Sequence, residues 1–275
     1  MKKIITSAIL FLILILPVFS AGDKTGEEYL KSKKHIAITN PIIENIVEKE
    51  IKKALKKEAP GKYKVKFQGY TLTSMKQGIF KYLEITGKNV TTKKDIKIPY
   101  FNIKTVKDYN WVDYNSDPIV FKSDMEFDCI THLSEKTIND ALADDEYKKV
   151  LNKVNNKAYP LFVINDVIVK IKNDKLYIIM SYNFPIAPKS KDRTFMVSSG
   201  LKVVNNEIKT KDVAFDNAYG NLPLNKVTNL VNMLNPLNFT AKLIGDKNSD
   251  VKINNIEIKD DIVIIGGKIF VKGDK

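Results

Sequence analysis

Catalysis needs side chains that trade protons, ligate metals or attack carbon, and this chain carries few of them. His35 and His132 are the only two histidines, and Cys129 is the only cysteine. The histidines lie far apart, with no HExxH and no Cys/His spacing of a zinc site. No GxSxG elbow, no GxxxxGK[ST] and no GxGxxG occurs, and no Cys/His pair marks a thiol nucleophile. Paired carboxylates stand at Asp144-Asp145 and Asp260-Asp261. Both fall where turns are expected, and no aromatic-lined cleft accompanies them, so a glycosidase pair is not indicated. No calcium-binding EF-hand loop is present. The pattern points away from an enzyme, and it calls for no metal or other cofactor. A hidden envelope enzyme would reveal itself by activity lost on changing Asp128 or His132.

Around these sparse groups, the elements are well marked. Cys129 sits in the alternation Met125-Glu126-Phe127-Asp128-Cys129, which puts its thiol on an apolar strand face as an inert core group. Gly266-Gly267 reads as a bulge or close backbone approach within a strand. At the N-terminus, Lys2-Lys3 precede the apolar run Ile4–Leu16, Pro17 ends it, and Ser20-Ala21 supply small residues for cleavage. That layout, over residues 1–21, is a secretory signal, too short for a confident membrane span. The protein is expected outside the cytoplasm, in a periplasm, the cell envelope or the extracellular space.

The chain has 275 residues, 44% of them hydrophobic, and a formal charge of +13. It can therefore build a large core. Nearly all the positive charge is lysine, since Arg193 is the only arginine. Arginine is the preferred fork for phosphates and base edges, so nucleic acid is not the expected partner. An anionic membrane surface, or simply a solvated lysine surface, fits better.

Residues 22–39 are polar, and one continuous α+β domain is expected from residue 40 to 275. Asn40-Pro41 opens a helix. Its apolar positions are Ile42, Ile43, Ile46, Val47, Ile51, Ala54 and Leu55, with Glu44, Glu48 and the lysines assigned to the opposite side. Tyr63, Val65 and Phe67 alternate with lysines in a first strand. Further strands are expected over 78–89, 96–106 and 118–133. Asp108–Tyr114, which contains Trp111, reads as a packed aromatic loop or an aromatic element at a rim. Ser134 caps a helical stretch to about 155 that Asp144-Asp145 can divide. Pro223 opens a short helix, and Phe239–Ile244 precedes a polar turn. Hairpins turn at Asn173-Asp174, Asn205-Asn206 and Asp260-Asp261.

The hairpin over 161–184 is apolar on both faces. Val163, Val167, Val169 and Ile171 are expected on one side, and Phe162, Ile164 and Ile168 on the other. In the return strand, Leu176, Ile178 and Met180 oppose Tyr177 and Ile179. Helices can cover one face; the other needs a second layer or an apolar guest.

The order of these segments resembles the LmeA-like phospholipid-binding family of exported bacterial proteins. The likeness runs from about residue 40 to 272. It rests on the helix 41–59 followed by a strand, the stretch Thr71–Val90 with its Gly78-then-alternating strand, Leu133–Leu142 opening a helix, Leu234-Asn235-Pro236, and the closing hairpin Val251–Val271. The resemblance implies an elongated, strongly curved antiparallel sheet or half-barrel, with amphipathic helices enclosing an apolar tunnel for acyl chains. It implies no catalysis and no metal. The expected function is therefore a non-catalytic, monomeric phospholipid-binding protein, a carrier or envelope-maintenance factor that meets an anionic membrane. Lining positions are expected at Ile46, Leu142, Val167, Val169, Ile178 and Met180. The alternative is an exported structural or interaction protein whose core is packed shut.

Overall fold

The computed structural model describes residues 41–114, 116, 120–158, 162–185, 193–215, 224–234, 236–237 and 249–273. The signal segment 1–21, the polar stretch 22–39 and Phe239–Ile244 lie outside the described residues. The elements in chain order are α1 (Pro41–Glu58), β1 (Lys62–Gly69), α2 (Leu72–Lys76), β2 (Ile79–Thr91), β3 (Lys97–Thr105), β4 (Asn110–Asp113), β5 (Val120–Phe121) and β6 (Met125–Ser134). They continue with α3 (Glu135–Leu142), α4 (Asp145–Ala158), β7 (Val163–Lys172), β8 (Lys175–Asn183), β9 (Arg193–Val204), β10 (Glu207–Phe215), α5 (Leu224–Leu234), β11 (Ser249–Lys259) and β12 (Ile262–Val271).

The fold is α+β with antiparallel sheets. The strands form two sheets, not one. The larger has eight strands in the order β11-β12-β6-β3-β2-β4-β5, with β1 on the remaining edge of β2; the smaller runs β10-β9-β8-β7. Neither sheet closes or curls strongly. The larger sheet is assembled from both ends of the described chain, because β11 and β12 return to pair with β6 after the four-stranded unit has been made. The three tight hairpin turns use the expected residues. Asn173-Asp174, Asn205-Asn206 and Asp260-Asp261 all take positive φ, between 50° and 64°, as a type I′ geometry requires.

Two apolar cores result. The first joins Ile51 and Leu55 of α1 to Val65, Phe67, Phe80, Ile85, Phe127 and Ile269 on the larger sheet. The second lies between one face of the smaller sheet and α3, α4 and α5. β6 and β12 belong to both: Phe127 and Ile269 sit in the first core, whereas Leu133, Val263 and Ile265 sit in the second. Tyr147 ties α4 to α5 by donating from its hydroxyl to the Leu234 carbonyl at 3.0 Å.

An edge strand exposes unpaired N–H and C=O groups, and here helix and turn side chains occupy them. On β1, Phe67 N–H donates to Glu48 Oε1 at 3.1 Å and Gly69 N–H to Glu44 Oε1 at 2.9 Å. On β7, the Asn139 amide donates to the Val169 carbonyl at 2.9 Å and accepts from the Val169 N–H at 2.8 Å. Asn155 makes the same two bonds with Ile164, each at 2.9 Å. Asn232 of α5 accepts from Thr210 N–H of β10 at 3.2 Å. Asn206 bonds both the Val251 carbonyl and the Ile253 N–H of β11.

Several expectations change. Glu44 and Glu48 do not face away from the core side of α1; they point at the β1 edge, whose free N–H groups attract them. The 118–133 strand is two, β5 and β6. Leu72–Lys76, for which no element was expected, forms helix α2, whose N-cap is a reciprocal Thr71/Ser74 box. Trp111 lies in strand β4 and its indole N–H donates to the Gln77 carbonyl at 3.0 Å. Asp144-Asp145 does divide the helical stretch, and Asp144 Oδ1 accepts from the Glu146 N–H at 2.9 Å as α4 starts.

Candidate functional site

The residues expected to line an interior come together with one exception. Val167 stands opposite Met180, and Val169 opposite Ile178, as cross-strand partners on β7 and β8. Leu142, at the end of α3, joins them in the second core, and all five are at most 6% exposed. Ile46 does not join them. It lies on α1, against the other sheet, and is 49% exposed. The helical period explains this: Ile51 faces the core, and five residues earlier is a rotation of about 140° away from it. Ile42, 70% exposed, shares that outward side.

The smaller sheet is apolar on both faces, but the division differs from strict alternation. A bulge at Asn165 inserts one residue opposite β8, so Ile164 and Val167 both point inward. Ile164 is therefore buried, while Val163 is half-buried. The inner face carries Ile164, Val167, Val169, Ile171, Leu176, Ile178, Met180, Val197, Leu201 and Ile208 against the helices.

Two polar side chains interrupt this inner face: Thr210 of β10, which is bonded to Asn232, and Ser199. Ser199 of β9 stands opposite Leu176, between Val197 and Leu201, and is wholly buried. Among the described residues its hydroxyl has no hydrogen-bond partner. A buried hydroxyl left unpaired costs about 1–3 kcal/mol, so it is an acceptor-seeking donor inside an apolar cluster. The alternation Phe195-Val197-Ser199-Leu201 already marks it as a polar residue in the inward phase, a signal that sequence reading passed over.

The outer face has no helix over it among the described elements. Ile168, Ile179 and Met196 form a row across β7, β8 and β9. Ile168 is 42% and Met196 40% exposed. The next row toward the turns is Lys170, Tyr177 and Ser198, and the one after brings Lys172 opposite Lys175. Beyond them, Lys211 stands opposite Gly200 and Lys209 opposite Lys202. Lys170 pairs with Glu135 at 2.9 Å and Lys209 with Glu207 at 2.5 Å. Burial pushes the Glu135 carboxyl up, but hydrogen bonds from Lys170 and the Ile171 N–H together hold it below the usual range. Lys172, Lys175, Lys202 and Lys211 have no carboxylate partner among the described residues.

The groups weighed for catalysis are not assembled. Asp128 and His132 share β6 but stand four residues apart, about 13 Å along a strand. Asp128 faces Lys104 at 3.8 Å, and His132 packs at a tilt against Tyr100 with ring centroids 4.6 Å apart. Burial lowers the His132 imidazole below its ordinary value. Burial also pushes the Cys129 thiol up to about 11, which makes it a poor nucleophile. Among the described residues no group of three or more His, Cys, Asp or Glu is placed to hold a metal ion. Gly266 and Gly267 face the β11 bulge at close range: a Cβ on Gly267 would come 2.4 Å from the Lys252 carbonyl oxygen.

No family model matches the chain, and neither a curated protein nor a solved structure does.

Proposed function

We propose that this chain is an exported, non-catalytic phospholipid-binding protein of the cell envelope, a lipid carrier or maintenance factor of the kind its sequence resembles. Acyl chains would occupy the apolar interior between the smaller sheet and helices α3, α4 and α5. The acyl-chain site that the resemblance implies would then lie within this sheet-and-helix layer rather than in a strongly curved half-barrel. The observation that carries the reading is the unpartnered Ser199 hydroxyl, buried within the apolar cluster made by Val167, Val169, Ile178 and Met180. A phospholipid ester carbonyl would satisfy that donor while its chain displaces or lines up with the apolar side chains. Burial of one acyl CH₂ contributes about 0.8 kcal/mol, so a chain of about 16 carbons offers on the order of 10 kcal/mol before ordering costs. No bond need be made or broken, which accords with the scattered catalytic groups.

The alternative, a structural or interaction protein with a shut core, is favoured by one observation: Leu142, Val167, Val169, Ile178 and Met180 are all at most 6% exposed and contact one another. Native mass spectrometry of the protein purified from its exported form separates the two. The lipid reading expects mass increments of one phospholipid, reduced in Ser199→Val with no loss of thermal stability. An apo mass alone, in protein never exposed to detergent, would establish the closed core.

A further inference from the structure

The outward faces of the two sheets are finished differently. Across six strands of the larger sheet runs the row Lys66, Glu84, Lys104, Asp128, Lys268 and Lys252. Every lysine in it has a carboxylate close by: Lys66–Glu84 at 2.9 Å, Lys104–Asp128 at 3.8 Å, Lys268–Glu126 at 2.6 Å and Lys252–Asp250 at 4.0 Å. On the smaller sheet, Lys172, Lys175, Lys202 and Lys211 have no such partners among the described residues, on the same face as the open row Ile168, Ile179 and Met196. Lys172 and Lys175 are directly opposite each other, a like-charge pair that works against the sheet unless an anion lies over it. Gly200 keeps this face flat: a Cβ there would come 2.9 Å from the Lys211 Cε, so the lysine stem lies across the glycine.

We infer that the outer face of the four-stranded sheet is a docking surface for an anionic lipid bilayer. The sheet lies along the membrane, with Ile168, Ile179 and Met196 at the headgroup–acyl boundary, Tyr177 beside them and the lysines on lipid phosphates. The occupant follows from charge complementarity. A protein partner of ordinary composition would bring carboxylates at fixed points, whereas this face offers a graded field of flexible lysines next to an apolar row, which suits a fluid surface of phosphates over hydrocarbon. A second copy of this chain would set lysine against lysine. The inference rests on the lipid reading and names the surface through which the protein meets the membrane that supplies or receives the lipid.

The test is sedimentation of the mature chain with vesicles of phosphatidylcholine, with and without phosphatidylglycerol. Binding is expected only to the anionic vesicles, falling as salt rises. Each removed lysine should weaken it about fivefold, so Lys172→Glu with Lys175→Glu should reduce it by at least about 25-fold. Lys62 and Lys88, which face each other on the larger sheet with no carboxylate partner among the described residues, provide the charge-matched control. Reversing that pair should change binding far less. Met196→Asp should abolish binding while thermal unfolding stays near wild type, since the site is exposed. Equal losses from the two lysine pairs, or loss with Ile46→Asp but not with Met196→Asp, would overturn the assignment; so would a dimer in solution that covers Met196. The lipid load, read by native mass spectrometry, separates the two claims. Loaded protein that ignores anionic vesicles overturns the docking face and leaves the carrier reading standing. Lipid-free protein that binds them through Met196 does the reverse.

Discussion

The two sheets share the same construction and differ on one face. Both hide an apolar face under helices, and both have edge strands bonded by carboxylate or amide side chains from a neighbouring helix. Their outward faces diverge. Along its central row the larger sheet sets carboxylates close to its lysines, and Glu84 alone is held by Lys66, Asn102 and Tyr82. The smaller sheet leaves lysines unanswered and isoleucine and methionine uncovered. Two antiparallel sheets therefore carry different outward faces, and under the docking proposal the smaller sheet's is the one that meets an anionic lipid surface.

The comparison breaks most sharply within the smaller sheet. Ile178→Ala, in the covered face, should destabilise by about 2–5 kcal/mol, because it leaves a cavity among residues with no exposure. Ile168→Ala, on the uncovered face, should stay within about 0.5 kcal/mol. Urea denaturation measures both, and similar losses would mean the outer face is also covered.

The edge bonds come next. Asn139→Ala orphans the N–H and C=O of Val169 together, a cost of about 1–3 kcal/mol. Asn139→Asp keeps the acceptor and should recover part of it. Amide exchange at Val169 should speed up in the alanine variant, and unchanged protection would show that the edge does not depend on the helix.

The smallest effect is acid sensitivity of the larger sheet's outer face. The Lys66 hydrogen bond, opposed by burial and helped by Asn102 and Tyr82, holds the Glu84 carboxyl below its usual range. A depressed carboxyl contributes stability that is present above its unfolded-state pKa and lost as pH falls through the lower folded-state value. Stability should thus fall modestly on the acid side of the ordinary carboxylate range, and Glu84→Gln should flatten that part of the profile.

Much of this was legible in the sequence. Asn and Asp pairs announced three hairpin turns because only residues tolerant of positive φ serve there. The two-sided apolarity of β7 and β8 also stood out. Three features did not. The division into two sheets depends on β11 and β12 returning to β6, a pairing more than 100 residues apart that no local pattern encodes. The Asn165 bulge reverses the phase of Ile164 because a single added residue shifts every earlier side chain to the other face. Glu44 and Glu48 looked like ordinary solvent-facing helix residues, since their partners are backbone groups of a strand. Ile46 was misplaced for a related reason: the polar edge, not an apolar stripe, occupies part of the buried side of α1.

The most direct test compares the two outward faces in one measurement. In a Cys129→Ser background, a fluorophore is attached at Met196→Cys on the smaller sheet or Ile130→Cys on the larger. Both positions are exposed, at 40% and 44%. With anionic vesicles containing brominated phospholipid, the label at 196 should be quenched and the label at 130 should not. Quenching at 130 alone, or at neither position, would contradict the claim that the smaller sheet was left open for lipid.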